Sequence, residues 1–164
     1  MSKVRFIADL HFGHKKCADQ RHAASIKDHD EWLIDRWNSV VTKRDLTFVL
    51  GDVTMDQKSL PLMKKLKGNK QLVMGNHDTF ANSRYLLYFN KLHGLVKYKG
   101  FWLSHAPIKE SSLRGHWNIH GHTHSECFFS PPYVCVSVEA LRGRPISFEE
   151  IVGFKKEIDN IIQE

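Results

Sequence analysis

Five short apolar runs in this chain end on the same kind of residue, and that recurrence limits what the chain can fold into. Val4-Arg5-Phe6-Ile7-Ala8 leads into Asp9-Leu10-His11. Leu46-Thr47-Phe48-Val49-Leu50 leads into Gly51-Asp52, and Lys70-Gln71-Leu72-Val73-Met74 into Gly75-Asn76-His77-Asp78. Phe101-Trp102-Leu103-Ser104 precedes His105, and Trp117-Asn118-Ile119-His120 precedes Gly121-His122-Thr123-His124. Runs of this length bounded by glycine or polar residues read as strands. Each polar piece then sits at the C-terminal end of a strand, where α/β sheets build their sites. A core gains nothing from an amide, an imidazole and a carboxylate in succession. A site that holds a divalent metal and moves protons uses all three. If the backbone stays extended there, residues two apart point the same way, so Asp9 with His11, and His122 with His124, reach one ion.

Taken in this order, the pieces resemble the calcineurin-like metallophosphoesterases. The resemblance covers residues 4–124, and the tail from Val136-Ser137-Val138-Glu139 to Ile151 is similar to a small bacterial and phage branch. It implies an α/β fold, a four-layer α/β/β/α sandwich of two mixed sheets flanked by helices. It also implies two divalent ions, Mn2+ first, with Fe, Zn or Ni as alternatives that suit mixed oxygen and imidazole ligands. One ion would take Asp9, His11, Asp52 and His124. The other would take Asp52, Asn76, His105 and His122, with Asp52 bridging. Such a pair clamps an in-line displacement at phosphorus and activates the attacking water. His77 would give a proton to the leaving oxygen, and Asp78 would orient that imidazole.

Two departures from the wider superfamily narrow this reading. Protein phosphatases carry Asp-Arg-Gly shortly after the Gly-Asp, whereas Val53-Thr54-Met55-Asp56 follows here. That disfavours a protein phosphatase. The usual Gly-His before the middle ligand is Ser104-His105. The expected activity is hydrolysis of a phosphodiester or phosphomonoester on a small nucleotide-like substrate. The alternatives are a nuclease or nucleic-acid end phosphatase, and an inactive scaffold on the same fold, against which Asn76 and His77 argue.

The bulk numbers bear on partners and setting. A length of 164 residues suits one domain, 1–164, with a real core. Three cysteines without a Cys-x-x-Cys pair argue against a disulfide framework or a zinc ribbon. Net charge is 24 − 18 = +6, which favours an anionic partner, nucleotide-like or nucleic acid. No apolar run approaches membrane-helix length, and Met1-Ser2-Lys3 leads straight into a strand, so a cytoplasmic protein is expected. The oligomeric state stays open.

Between the site pieces, Asp9 to Ser25 reads as a long polar loop, with His14 and Lys15 as candidate substrate contacts. Ile26 to Val41 reads as a helix with Ile26, Leu33, Trp37 and Val40 in an apolar stripe, and both Trp32 and Trp37 are assigned to the core. A short helix within Asp56–Lys67 is expected to start at Ser59. Another over Ser83–Asn90 would bury Tyr85, Leu86, Leu87, Tyr88 and Phe89. Lys99-Gly100 reads as a hairpin turn. The loop Ala106–His116 lies between two ligand positions and offers Arg114 and His116 to phosphate oxygens. A strand over Tyr133–Val138 follows. Ser147-Phe148-Glu149-Glu150 is a capping box, opening a helix with Ile151, Phe154, Ile158 and Ile161 on one face.

Overall fold

The computed structural model describes residues 1–163. In chain order the elements are β1 (Val4–Ile7), α1 (Lys15–Gln20), α2 (Ile26–Asn38), β2 (Leu46–Val49), a 3-10 turn (Leu60–Lys65) and β3 (Asn69–Val73). Next come α3 (Asn82–Tyr85), β4 (Lys91–His93), β5 (Val96–Tyr98), β6 (Phe101–Leu103), α4 (Glu110–Leu113) and β7 (Trp117–His120). The chain ends with β8 (Phe129–Ser130), β9 (Tyr133–Cys135), α5 (Val138–Leu141), β10 (Ile146–Ser147) and α6 (Phe148–Gln163).

These build two five-stranded mixed sheets, ordered β10-β1-β2-β3-β4 and β5-β6-β7-β9-β8. β1 to β4 run parallel, with β10 antiparallel at the edge of β1. Parallel neighbours need crossovers, which supply the outer helices. The first sheet is buried on both faces, which explains its near-continuous apolar runs. Phe6, Phe48, Leu50 and Val73 pack against Phe101, Leu103, Ile119 and Val134 of the second sheet. Ile7, Val49 and Leu72 instead meet Leu33, Trp37 and Val41 under α2. The layer over the outer face of the second sheet is thin. There Asn118 Oδ1 accepts from the Ile108 amide at 2.8 Å, and the Tyr133 hydroxyl donates to the Ile108 carbonyl at 2.8 Å, holding down the segment that carries α4.

Local sequence accounts for several boundaries. The Ser25 hydroxyl accepts from the Asp28 amide at 3.1 Å and caps α2. Ser147 and Glu150 form the reciprocal box. Glu150 Oε2 accepts from the Ser147 amide at 2.9 Å, while the Ser147 hydroxyl accepts from the Glu150 amide at 3.3 Å. Lys99 and Gly100 both have positive φ, 44° and 87°, which makes the tight turn between β5 and β6.

Other expectations fail for identifiable reasons. The segment after Asp9 is not all loop: α1 interrupts it, burying only Cys17 and Ala18, too little to leave an apolar stripe. Ser59 does not cap the 3-10 turn; its own amide donates to Asp56 Oδ1 at 2.8 Å. α3 stops after one turn, so Tyr85 and Phe89 are buried while Leu86 and Leu87 are 53% and 64% exposed. Trp37 is buried, but Trp32 stands at the surface, 37% exposed. Among the described side chains of α6 only Ile151 is fully buried; Phe154 and Ile161 are exposed because the helix runs past the sheet edge that covers its first turn. β4 and β8, with three and two residues, carry no pattern long enough to read.

Candidate metal centre

The polar pieces do meet at one end of the sandwich, at the C-terminal ends of β1, β2, β3, β6 and β7. The sheets also join there. The Ala8 amide donates to the Val136 carbonyl and the Val136 amide to the His120 carbonyl, each at 2.8 Å, so one residue bridges strands of both sheets. The ladder continues past the strands, with the amides of Asp9 and His11 donating to the carbonyls of Gly51 and Asp52 at 3.0 Å.

The backbone at the site is not extended. Asp9, His11, Asp52, His122 and His124 all have positive φ, between 49° and 68°. Asp-x-His and His-x-His therefore converge through successive left-handed turns, not through the period of a strand. Asp and His tolerate that region better than most residues, and clustered strain of this kind collects at functional sites. Gly121 is required by the same crowding, because a Cβ there would lie 2.6 Å from Asp9 Oδ2.

Two groups of donor atoms share one carboxylate oxygen. Asp52 Oδ2 lies 3.6 Å from His11 Nε2 and 3.4 Å from His105 Nε2. On the His105 side, Asn76 Oδ1 is 2.9 Å from His105 Nε2 and 3.0 Å from His122 Nδ1, and those two nitrogens are 3.1 Å apart. On the His11 side, His124 Nε2 is 3.9 Å from Asp9 Oδ1, and the His11 and His124 rings stack with centroids 5.1 Å apart. Ligating atoms of Asp9, His11 and His124 lie within 4.8 Å of one another, as do those of Asp9, Asp52 and His105.

These residues fit a pair of cations better than they fit one another. His105 Nδ1 is committed to the Leu50 carbonyl at 2.8 Å. In the neutral ring its Nε2 lone pair then faces two acceptor oxygens, Asn76 Oδ1 and Asp52 Oδ2. Both nitrogens of His11 are buried without any hydrogen-bond partner, an arrangement that costs stability unless something fills it. Burial pushes the Asp9 carboxyl up to about 7, with His124 and His105 opposing that rise. Burial holds the His11 imidazole down, to about 3, against the pull of Asp52. Burial also works against a charged His105, but its contacts with Asp52 and the Leu50 carbonyl prevail and raise it.

His77 is exposed at the mouth, its ring 5.9 Å from that of His11, and its amide donates to Asp52 Oδ1 at 3.0 Å. Asp78 does not orient that imidazole. Its buried carboxylate accepts three backbone amides, from Asp52 at 2.8 Å, Val53 at 3.0 Å and Gly75 at 2.8 Å. It ties the loop after β3 to the loop after β2, because three backbone amides converge on it. His14 lies at the rim, 5.6 Å from the His11 ring, with its Nδ1 3.1 Å from Cys17 Sγ. Lys15 pairs with Asp19 on the exposed face of α1 at 2.9 Å.

Arg114 and His116 are not at this site. They precede β7, whose C-terminal end carries the ligand positions, so a strand of four residues separates them from it. His116 Nε2 lies 2.7 Å from Lys97 Nζ instead. The reason is topological: β6 and β7 are parallel, so the loop that leaves the site at His105 must return to the opposite edge before β7 begins.

Two residues of the site escaped the sequence reading. Glu139 Oε1 accepts from His124 Nδ1 at 3.0 Å and from Arg21 at 2.8 Å, which leaves His124 Nε2 free to face Asp9. Arg21 also donates to the Asp9 and Leu10 carbonyls at 2.7 and 2.9 Å, bracing the first ligand loop. Behind it, His29 accepts from Arg21 and donates to Asp30, each at 2.9 Å. A signal for Glu139 existed: Val134-Cys135-Val136-Ser137-Val138-Glu139 is another apolar run ending on a polar residue. Arg21 had none, because its role depends on contacts distant in sequence.

Comparison with known proteins agrees with this architecture. A profile of the calcineurin-like phosphoesterases matches residues 2–159. An uncharacterized protein of Methanocaldococcus jannaschii is 31% identical over 168 residues, spanning 93% of this chain and 90% of its own length. A protein of unknown function from Aquifex aeolicus superposes with a TM-score of 0.76 at 25% identity, over 94% of this chain and all of that one. An archaeal phosphodiesterase superposes with a TM-score of 0.50 at 18% identity, over 82% of each chain, a likeness of fold.

Proposed function

This chain belongs to the calcineurin-like phosphoesterase family, and from that premise we infer that it hydrolyses a phosphate ester of a nucleotide-like substrate with two divalent cations. The observation that carries the reading is the position of Asp52 Oδ2, 3.6 Å from His11 Nε2 and 3.4 Å from His105 Nε2. One carboxylate oxygen within reach of a histidine nitrogen on each side is what a bridging ligand requires. Asp9, His11, Asp52 and His124 would hold one ion; Asp52, Asn76, His105 and His122 the other. When bound, such ions supply Lewis-acid charge to the phosphate oxygens and a reactive water. Mn2+ is the first ion to test, since hard oxygens and imidazoles are mixed.

The remaining roles belong to the chain's own groups. The Leu50 carbonyl and Glu139 fix the rings of His105 and His124, so each presents a free Nε2 to the centre. Asp78 holds the two loops that carry Asp52 and Asn76 in register. His77, exposed beside Asn76 at the mouth, would donate a proton to the departing oxygen. His14, whose ring centroid is 5.6 Å from that of His11, would contact the phosphate or its substituent.

The test is Asp52→Asn. Loss of the bridging charge should remove metal and turnover of bis(p-nitrophenyl) phosphate together, with metal per chain measured after desalting. Two full equivalents retained by the variant would overturn the bridging role.

A further inference from the structure

A cavity of about 510 Å³ lies on the outer face of the second sheet, at the end that carries the candidate ligands. Its floor is His120 of β7 with Tyr133 and Cys135 of β9. His120 stands opposite Cys135 in the register of those strands. Ile119 and Val134 pack between the sheets, so the residues on either side of them face outward. One side of the cavity is formed by residues 107–109, the segment that follows His105. The other side is built from the chain after His122 and begins with Thr123. Along the chain, Thr123 is one residue from the candidate ligands His122 and His124, and it is at the surface.

His120 is buried, 5% exposed, and only one of its ring nitrogens has a partner. Its Nδ1 donates to the Gly121 carbonyl at 2.8 Å, which puts the lone pair of the neutral ring on Nε2. Among the described residues nothing hydrogen-bonds to that Nε2, and the ring is part of the cavity wall. A buried acceptor without a donor costs stability, so the site favours an occupant that brings one. The Tyr133 ring meets the imidazole edge to face, with centroids 5.8 Å apart. The Tyr133 hydroxyl cannot serve as the donor, because it is committed to the Ile108 carbonyl at 2.8 Å. The same bond fastens the wall segment that carries Ile108 to the floor.

The wall chemistry selects among occupants. A carboxylate or phosphate would set its oxygens against the Nε2 lone pair, and the wall offers it one cation, the exposed Lys109. A hydrocarbon chain would leave Nε2 unpaired. A sugar would press hydroxyls against Pro107, Ile108 and the Tyr133 ring, where they lose water and gain no partner. A flat heterocycle with an N–H in its plane meets every condition. Its faces cover the apolar walls and its edge donates to Nε2. Nucleobases have this form, with a π-face on each side and N–H groups on the edge.

We propose that this cavity holds the base of the substrate, with a base N–H donated to His120 Nε2 and the attached phosphate reaching the metal centre past Thr123. The proposal rests on the phosphoesterase reading for the fate of that phosphate, while binding of a base alone is a separate property. It makes His120 and Tyr133 residues of specificity, distinct from the candidate ligands.

The experiment uses the full, Mn2+-loaded chain and nucleosides without phosphate: adenosine, cytidine, guanosine and uridine. Binding is read by calorimetry and by the rate at which iodoacetamide modifies Cys127. That thiol is the exposed one among the free cysteines, and it lies in the cavity wall. At least one nucleoside should bind and slow the modification in proportion to its occupancy. Methylating the donor nitrogen, as in dimethyladenosine or 3-methyluridine, should weaken binding about tenfold in the unaltered chain. His120→Leu should lose the same factor and respond no further to methylation, whereas His120→Gln keeps an acceptor and should retain part of the difference. The bound nucleoside should compete with hydrolysis of its own p-nitrophenyl phosphate ester, raising KM and leaving kcat unchanged. Failure of all four nucleosides to protect Cys127 would overturn the proposal, as would equal affinity for methylated and unmethylated forms. Protection without competition would overturn the placing of the base beside the centre. Ester hydrolysis without nucleoside binding would sink the cavity alone. Nucleoside binding that protects Cys127, with no ester hydrolysis, would sink the phosphoesterase reading alone.

Discussion

Single side chains at the candidate centre divide into those that would hold cations and those that hold the holders. His77 belongs to neither group. It is exposed, it makes no tie to Asp78, and only its backbone amide touches Asp52. Replacing its ring should therefore leave metal content intact. If it donates a proton, His77→Gln should lower turnover of a nucleotide ester by roughly 10²–10⁴. A nitrophenyl ester should suffer less, since nitrophenolate leaves without a proton. Equal losses on both substrates, with metal retained, would point to phosphate positioning instead. Asp78 was legible as a site residue but not in its role. From sequence its adjacency to His77 suggests a carboxylate–imidazole pair. In the fold, three amides from two loops reach it first.

Among the elements, the sheet edge opposite the centre depends on one buried ion pair. Arg5 on β1 meets Asp45 just before β2 at 3.2 Å and the Pro145 carbonyl just before β10 at 3.1 Å. Burial pushes the Asp45 carboxyl up, but the Lys3 and Thr42 amides and Arg5 prevail and hold it at about 2. A pKa lower in the folded chain than in the unfolded one stabilises the fold above the unfolded value. That stabilisation is lost as pH falls through the folded value. Asp45→Asn should therefore cost about 2 kcal/mol at pH 7, a fall of about 4–8 °C in Tm. The gap between parent and variant should narrow from about pH 4 down toward pH 2. Thermal melts in chelator at pH 7 and pH 3 check this, and an identical gap at both would exclude the carboxylate's charge as the cause. The element boundaries follow the same division of scale. α2 was legible in its apolar stripe through Leu33 and Trp37, and α6 in the Ser147–Glu150 box, both of which are local in sequence. α1 had no such signal, and α3, expected over Ser83–Asn90, is a single turn over Asn82–Tyr85, because the burial of both is decided by what packs above them.

For the whole molecule, the centre is where two sheets meet, so cations held there should stabilise the entire fold. Ions present at 100 times their dissociation constant would contribute about 2.7 kcal/mol by mass action. Removing them with a chelator should lower Tm by about 5–11 °C, and restoring Mn2+ should recover it. An unchanged melting curve would mean that the ligand loops are preformed but bind nothing tightly. Among the described residues no helix is long and apolar enough to cross a membrane. The sequence alone determined the family, the two mixed sheets and the set of polar residues at their ends. The polar set follows from short-range information, apolar runs and the residues that stop them, while the family and its two mixed sheets follow from the resemblance that those ordered pieces carry. Tertiary structure decided which of those residues converge. It placed Arg114 and His116 at the far edge because a parallel crossover must return there, and it brought Arg21 and Glu139, 118 positions apart, against His124. It also lifted Trp32 out of the core to the surface, into the wall of a cavity shared with Arg36 and Arg142. Convergence of this kind depends on sheet register and strand direction, which no window of residues encodes.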